Sequence, residues 1–220
     1  MIDSALLVAP RHRGLAAVAR TWLAFAALAA CALPAARAAD SIEDGTLLVA
    51  SPELKDPNFS HTVILVLRHD DSATLGVIIN RPTSLDPTKT FPELSNLGTY
   101  NGKLFRGGPV SSTQVLFLVR GLAAATVQGP EIVDKVFLSG NAEQLPNLAR
   151  LADGAAELRI YAGHAVSGAG QLARELQQGA WHALPGTAEL VFNADPTKLW
   201  EQLAPPVNGV TADTGARPQP

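Results

Sequence analysis

The chain has one cysteine, Cys31, in 220 residues, and charged side chains make up only 17% of it. A single cysteine cannot build a disulfide framework, even in an oxidising compartment. The sparse charge also has the wrong sign for nucleic acid. The formal net charge is −3, whereas phosphate backbones are bound by clustered Lys and Arg. Metal-ligand spacing is missing too: no two His or Cys stand at i, i+3 or i+4. His61 and His69 flank a predicted strand about 26 Å long, so they cannot share one ion. His69-Asp70-Asp71 reads as hairpin-turn chemistry. No internal repeat is present, and no apolar run reaches the roughly 20 residues that cross a bilayer.

What is abundant is apolar: hydrophobic residues make up 47%, enough for one core in a chain too short for two comfortable domains. Part of that content lies in the first forty residues. Arg11, Arg13 and Arg20 precede the apolar run 22–33, and Pro34 and small residues follow. A basic start, a short apolar segment and a small-residue site predict a secretion signal over residues 1–38. Ala36-Arg37-Ala38 fits cleavage between Ala38 and Ala39, while Leu28-Ala29-Ala30-Cys31 resembles a lipobox. The first is preferred because a full A-x-A site closes a proline-marked segment. It implies an exported, periplasmic protein, whereas lipidated Cys31 implies a membrane-anchored lipoprotein. Loss of residues 1–38 removes Arg11, Arg13, Arg20, Arg37 and Asp3, moving the formal charge from −3 to −6. Residues 39–203 are read as a single domain, and the Pro- and Gly-rich stretch 204–220 as a disordered tail.

Strand signals concentrate between Gly45 and Pro82. Residues 45–50 form a short apolar run closed by Ser51-Pro52. Residues 61–69 are so β-branched and so continuously apolar that both faces are expected to be covered. After Asp70-Asp71-Ser72, residues 74–80 return as the second arm of a hairpin that ends at Arg81-Pro82. Phe91, Leu94 and Leu97 predict one short helix after Pro92. A tight Gly107-Gly108-Pro109-Val110 feature precedes a buried strand over 115–120, and residues 131–138 give one or two short strands. Leu145, Leu148, Ala149 and Leu151 predict a helix and residues 157–163 a strand. A Gly-rich loop, 164–170, opens a helix carrying Leu172 and Leu176. Residues 187–193 read as a last strand, and Asp195-Pro196 as the start of a final helix that places Leu199, Trp200 and Leu203 on the core. Strands dominate without regular β-α alternation, so the fold class is α+β with a mixed, mainly antiparallel sheet.

Three stretches in order, LLVASPELKDPNFSHTVILVLRHDDSATLGVIINRP, FRGGPV and YAG…GQLARELQQGAW, resemble the YqgE/AlgH family of bacterial proteins. The resemblance runs from about Gly45 to about Leu203. It implies an α+β fold in which a small β-barrel is flanked by helices, no established enzymatic activity, and a usually cytoplasmic location without a signal. Two features depart from the family pattern: the N-terminal signal, and His164 in place of the Trp after Tyr-Ala-Gly, followed by an insert, 165–169, before Gly170-Gln171-Leu172.

Chemistry-bearing motifs are incomplete. Gly163 and Gly168 have phosphate-loop spacing, but Ala169 and Gly170 stand where Lys and Ser/Thr are required. Ser167 lacks both glycines of a nucleophile elbow. Arg81 and Arg106 sit beside rigid backbone, Pro82 and Gly107-Gly108-Pro109, where a guanidinium meets a carboxylate in bidentate fashion. The simpler expectation for them is a structural salt bridge to Asp56 or Glu53. The combined reading is a non-enzymatic binding or regulatory module in which Asn80, Arg81, Arg106, Gly107, Gly108 and His164 meet a protein or a small anionic ligand. No cofactor, metal or nucleic-acid partner is expected. The alternatives are a hydrolase with a His-assisted nucleophile in the 163–170 loop, and a transcriptional-regulator-like role if the signal is not used.

Overall fold

The computed structural model describes residues 42–98, 100–151 and 157–206. The signal segment, with Cys31, Ala38 and Ala39, and the tail from residue 207 lie outside the described residues. The chain divides into units 1–38 and 39–220, and every described residue belongs to the second.

Nine strands form one sheet: β1 (Thr46–Ala50), β2 (Val63–His69), β3 (Ala73–Ile78), β4 (Leu104–Arg106), β5 (Val110–Arg120), β6 (Glu131–Val133), β7 (Val136–Ser139), β8 (Glu157–Gly168) and β9 (Trp181–Pro185). The order is β6-β7-β5-β8-β3-β2-β1-β9, antiparallel throughout, with β4 added parallel to β8. Among the described residues five short helices accompany it: α1 (Pro87–Thr90), α2 (Leu145–Leu151), α3 (Gln171–Gln177), α4 (Ala188–Phe192) and α5 (Leu199–Leu203). None of the described helices is long and apolar enough to cross a membrane.

The expected mainly antiparallel, curled sheet flanked by helices is what forms, as a half-barrel. No ladder joins the end strands β6 and β9 among the described residues. They are drawn together instead by Gly45, whose carbonyl accepts the Gly186 N–H at 3.0 Å and whose missing Cβ would stand 2.7 Å from the Ile132 carbonyl oxygen. The β2–β3 turn is made by Asp70, whose carboxylate accepts the N–H groups of Ser72 and Ala73 at 2.9 and 3.1 Å. In the β6–β7 turn, Asp134 and Lys135 both adopt positive φ, 46° and 61°, the conformation that suits the twist of a two-residue hairpin.

Strand β2 explains the barrel. Val63, Leu65 and Leu67 face an inner cluster shared with Leu47, Val77, Ile79 and Tyr161. Ile64 and Val66 face an outer cluster with Leu48, Ile78, Leu172 and Trp181. Both faces are therefore covered, as its continuous apolar run predicts. Helices α4 and α5 fill the inner side with Val191, Phe192 and Leu199, α3 covers the outer side with Leu172, and α2 closes a third cluster with Leu145 and Leu148.

Four expectations are corrected. Residues 187–193 are a helix, not a strand: the Thr187 hydroxyl accepts the Leu190 N–H and caps α4, burying adjacent Val191 and Phe192. The 164–170 segment is not a loop, since β8 continues to Gly168 along the edge of β3. Asp195 makes a turn through the Thr197 N–H, and α5 begins only at Leu199. After Pro92 the chain makes a single 3₁₀ turn, Pro92–Leu94, preceded by α1, although Phe91, Leu94 and Leu97 pack in one cluster. Strand β9 adds an element to those expected; Trp181 opens it and pairs with Ala50.

Candidate functional site

The residues singled out from sequence meet at one place, where β4 ends between β8 and the exit of β3. Backbone bonds define it: Arg106 N–H to the Arg81 carbonyl at 2.9 Å, Gly107 N–H to Ala162 at 2.8 Å, and Ile78 N–H to Gly107 at 2.8 Å. Val110 pairs with His164. The glycines are there because backbone crosses backbone. A Cβ on Gly107 would lie 2.2 Å from the Gly163 carbonyl oxygen, and one on Gly108 would lie 2.1 Å from the His164 carbonyl. Gly163 itself has φ +70°. This bend shifts the alternation of β8, so Tyr161 and His164 fall on one face although three positions apart.

Asn80 and Arg81 are clamps. The Asn80 amide accepts the Val63 N–H at 2.8 Å and donates to the His61 carbonyl at 3.0 Å, holding His61 at φ 57°. The Arg81 guanidinium donates to the carbonyls of Asn58 at 2.7 Å and Ser60 at 3.0 Å. The salt bridge expected to Asp56 or Glu53 does not form; Glu53 accepts the Ser51 hydroxyl instead. Burial and then the like charge of Arg106 lower the Arg81 pKa, with Asp56 working in the opposite sense. Among the described residues neither Arg81 nor Arg106 forms an ion pair with a carboxylate. Exposed Arg106 stands at a cavity of about 490 Å³ whose lining includes Asn58, Thr90, Phe91, Phe105, Gly108 and Ser112. Next to it Ser111 has φ 50°, a conformation that costs a non-glycine residue.

His164 is half-buried, and that burial lowers its pKa. It cannot serve Ser167. The β3–β8 register runs regularly from Ala73↔Gly168 to Gly76↔Ala165, which sends Ala165 and Ser167 to the outer face and His164 to the opposite one. His164 is therefore not placed to act as a base for Ser167. The Ser167 hydroxyl is buried without a hydrogen-bond partner. His69 does meet a hydroxyl: its Nδ1 lies 2.7 Å from Thr74 Oγ1. His61 packs edge-on to Trp200, with ring centroids 4.1 Å apart. No cluster of three or more His, Cys, Asp or Glu able to hold a metal ion occurs among the described residues.

The sequence matches the profile of the AlgH-like family, DUF179, over residues 47–210. A UPF0301 protein of Streptomyces avermitilis is 37% identical over 163 residues, covering 72% of this chain and 83% of the relative. One from Chlamydia muridarum is 30% identical over 179 residues, covering 81% and 93%. Two solved structures share the fold at 25% identity. A crystal structure of a Corynebacterium diphtheriae protein gives a TM-score of 0.60 over 74% of this chain and 86% of that one. The solution structure of the AlgH protein from Pseudomonas aeruginosa gives 0.58 over 72% and 85%. The chain belongs to the AlgH-like family of UPF0301 proteins.

Proposed function

We propose that this protein is an exported, non-enzymatic binding module whose cleft at the strand crossing takes a small organic anion. One observation carries the reading: the backbone bond from Arg106 to Arg81 holds two cations together at a cavity that Arg106 lines, and among the described residues no carboxylate pairs with either. An anion arriving at Arg106 relieves their repulsion, and the Arg106 fork supplies bidentate hydrogen bonds to a carboxylate or phosphate. Arg81, pinned by two carbonyls, adds charge without reorganising. Phe91, Leu104 and Phe105 make the wall apolar, which favours an anion with a hydrocarbon body. Export rests on the basic, apolar and small-residue segments of residues 1–38.

Calorimetric titration with acetate, butyrate and inorganic phosphate tests the site, with butyramide as the neutral control. Saturable binding of the anions that is lost in Arg106→Ala and partly kept in Arg106→Lys supports the reading; butyramide binding as well as butyrate contradicts it. Export is tested by the intact mass of the protein from a fractionated host. A periplasmic chain starting at Ala39, or a lipidated one starting at Cys31, supports export, and a full-length cytoplasmic chain leaves the regulator-like reading in its place.

A further inference from the structure

A second cleft lies on the outer face of the sheet and shares no lining residue with the first. Its volume is about 270 Å³. Two small residues paired across strands, Gly76 and Ala165, leave its floor low. Leu48 and Ile64 extend that floor, and Phe59 and Trp181 form a wall, edge to face with centroids 5.9 Å apart. Helix α3 closes the other side.

The charged groups that line this cleft are both carboxylates. Glu175 is held at its edge by two bonds, accepting Trp181 Nε1 at 2.9 Å and Gln171 Nε2 at 2.8 Å. Asp56 lines it too, with one carboxylate oxygen accepting the Asn58 N–H at 2.7 Å. Ser167 lines it with a buried hydroxyl that no group among the described residues satisfies, and such an atom favours a hydrogen-bonding ligand. No Lys or Arg among the described residues lines the cleft. Two carboxylates, two aromatic rings, an unpartnered hydroxyl and an apolar floor together describe a site for a positively charged nitrogen on a hydrocarbon body.

We propose that this outer cleft binds a small organic cation, a primary ammonium with an apolar or aromatic body. The ammonium faces Glu175, Asp56 and Ser167, and the body lies over Leu48, Ile64 and Ala165. Glu175 carries both duties, since the carboxylate that fixes the Trp181 ring also supplies charge.

The Trp181 indole resonance of the ¹⁵N-labelled protein provides the test, titrated with benzylammonium, benzyl alcohol and benzoate. Benzylammonium is expected to shift it saturably and to bind most tightly of the three. Glu175→Gln keeps an acceptor for Trp181 and removes the charge, so benzylammonium affinity should fall roughly fivefold or more while benzyl alcohol is little changed. Asp56→Asn, at an exposed site, is the second variant should Glu175→Gln fold poorly, and it is expected to weaken the cation in the same sense. Benzoate or benzyl alcohol binding as tightly as benzylammonium overturns the proposal. So does cation affinity unchanged in these variants, or a Trp181 resonance that none of the three compounds moves.

Discussion

Arg106 donates its backbone N–H to the carbonyl of Arg81 at 2.9 Å, and this one bond brings together two arginines 25 positions apart in the chain. Their side chains then part in role. Arg81 turns back onto the carbonyls of Asn58 and Ser60, while Arg106 reaches solvent beside the cavity. Replacing Arg81 with Ala leaves two carbonyls without their charged donor, at a cost of about 2–3 kcal/mol in chemical denaturation. Arg106→Ala removes a repulsive neighbour and no pairing, so its stability should stay within about 0.5 kcal/mol of the parent.

The three glycines of the crossing should be intolerant for a steric reason. Gly108→Ala forces a methyl to 2.1 Å from the His164 carbonyl, and a loss of about 3 kcal/mol or a failure to fold is expected. Gly168→Ala, in the same strand β8, meets nothing closer than Gln171 Oε1 at 3.9 Å and should change stability by less than about 0.5 kcal/mol. Comparable losses at both positions would contradict the crossing.

Tyr161 buries its hydroxyl in the inner cluster without a hydrogen bond of regular geometry among the described residues, and burial pushes its pKa up to about 12 against the opposing pull of the nearby Arg159 guanidinium. Tyr161→Phe should therefore be neutral or stabilising by up to about 1 kcal/mol. The phenol's pKa is higher in the folded state than in the unfolded chain, so its contribution is present in full below pH 10 and lost as pH rises towards 12. Melting temperature followed across that range should decline less steeply in the Phe variant.

His164 acts at the other end of the scale. Its folded pKa lies below the ordinary 6.5 because burial disfavours the imidazolium. Above pH 6.5 both states hold it neutral and it contributes no pH dependence. As pH falls below 6.5 the unfolded chain takes up the proton first, so stability declines until the folded pKa is passed. Denaturation midpoints of His164→Gln should fall less with acid than those of the parent.

Much of the barrel was legible because burial leaves a trace in composition. Strand β2 must be apolar on every residue when both its faces are covered, and its sequence is. The run 187–193 was misread because a short apolar stretch after Thr serves equally as a capped helix or a strand, and only its packing inside the barrel decides. Residues 164–168 looked like a loop because small residues and flanking glycines carry no strand period; the edge of β3 makes them a strand. Around the strand crossing, the arginines and glycines stand out in the sequence, but the groups they contact do not. Arg81 binds two backbone carbonyls, which any residue supplies, and Gly108 answers to His164, a neighbour far along the chain. The outer cleft left still less trace, since it arises from Gly76 facing Ala165 across two strands.

Direct observation of the Arg106 and Arg81 side-chain Nε resonances during titration of the ¹⁵N-labelled protein with butyrate bears most closely on the anion site. The Arg106 Nε–H is expected to move saturably and Arg81 to follow as the repulsion is relieved; the Arg81 response should disappear in Arg106→Ala, and both should disappear with butyramide. Butyrate that leaves the Arg106 resonance unmoved at saturating concentration, or moves it no more than butyramide does, would contradict it.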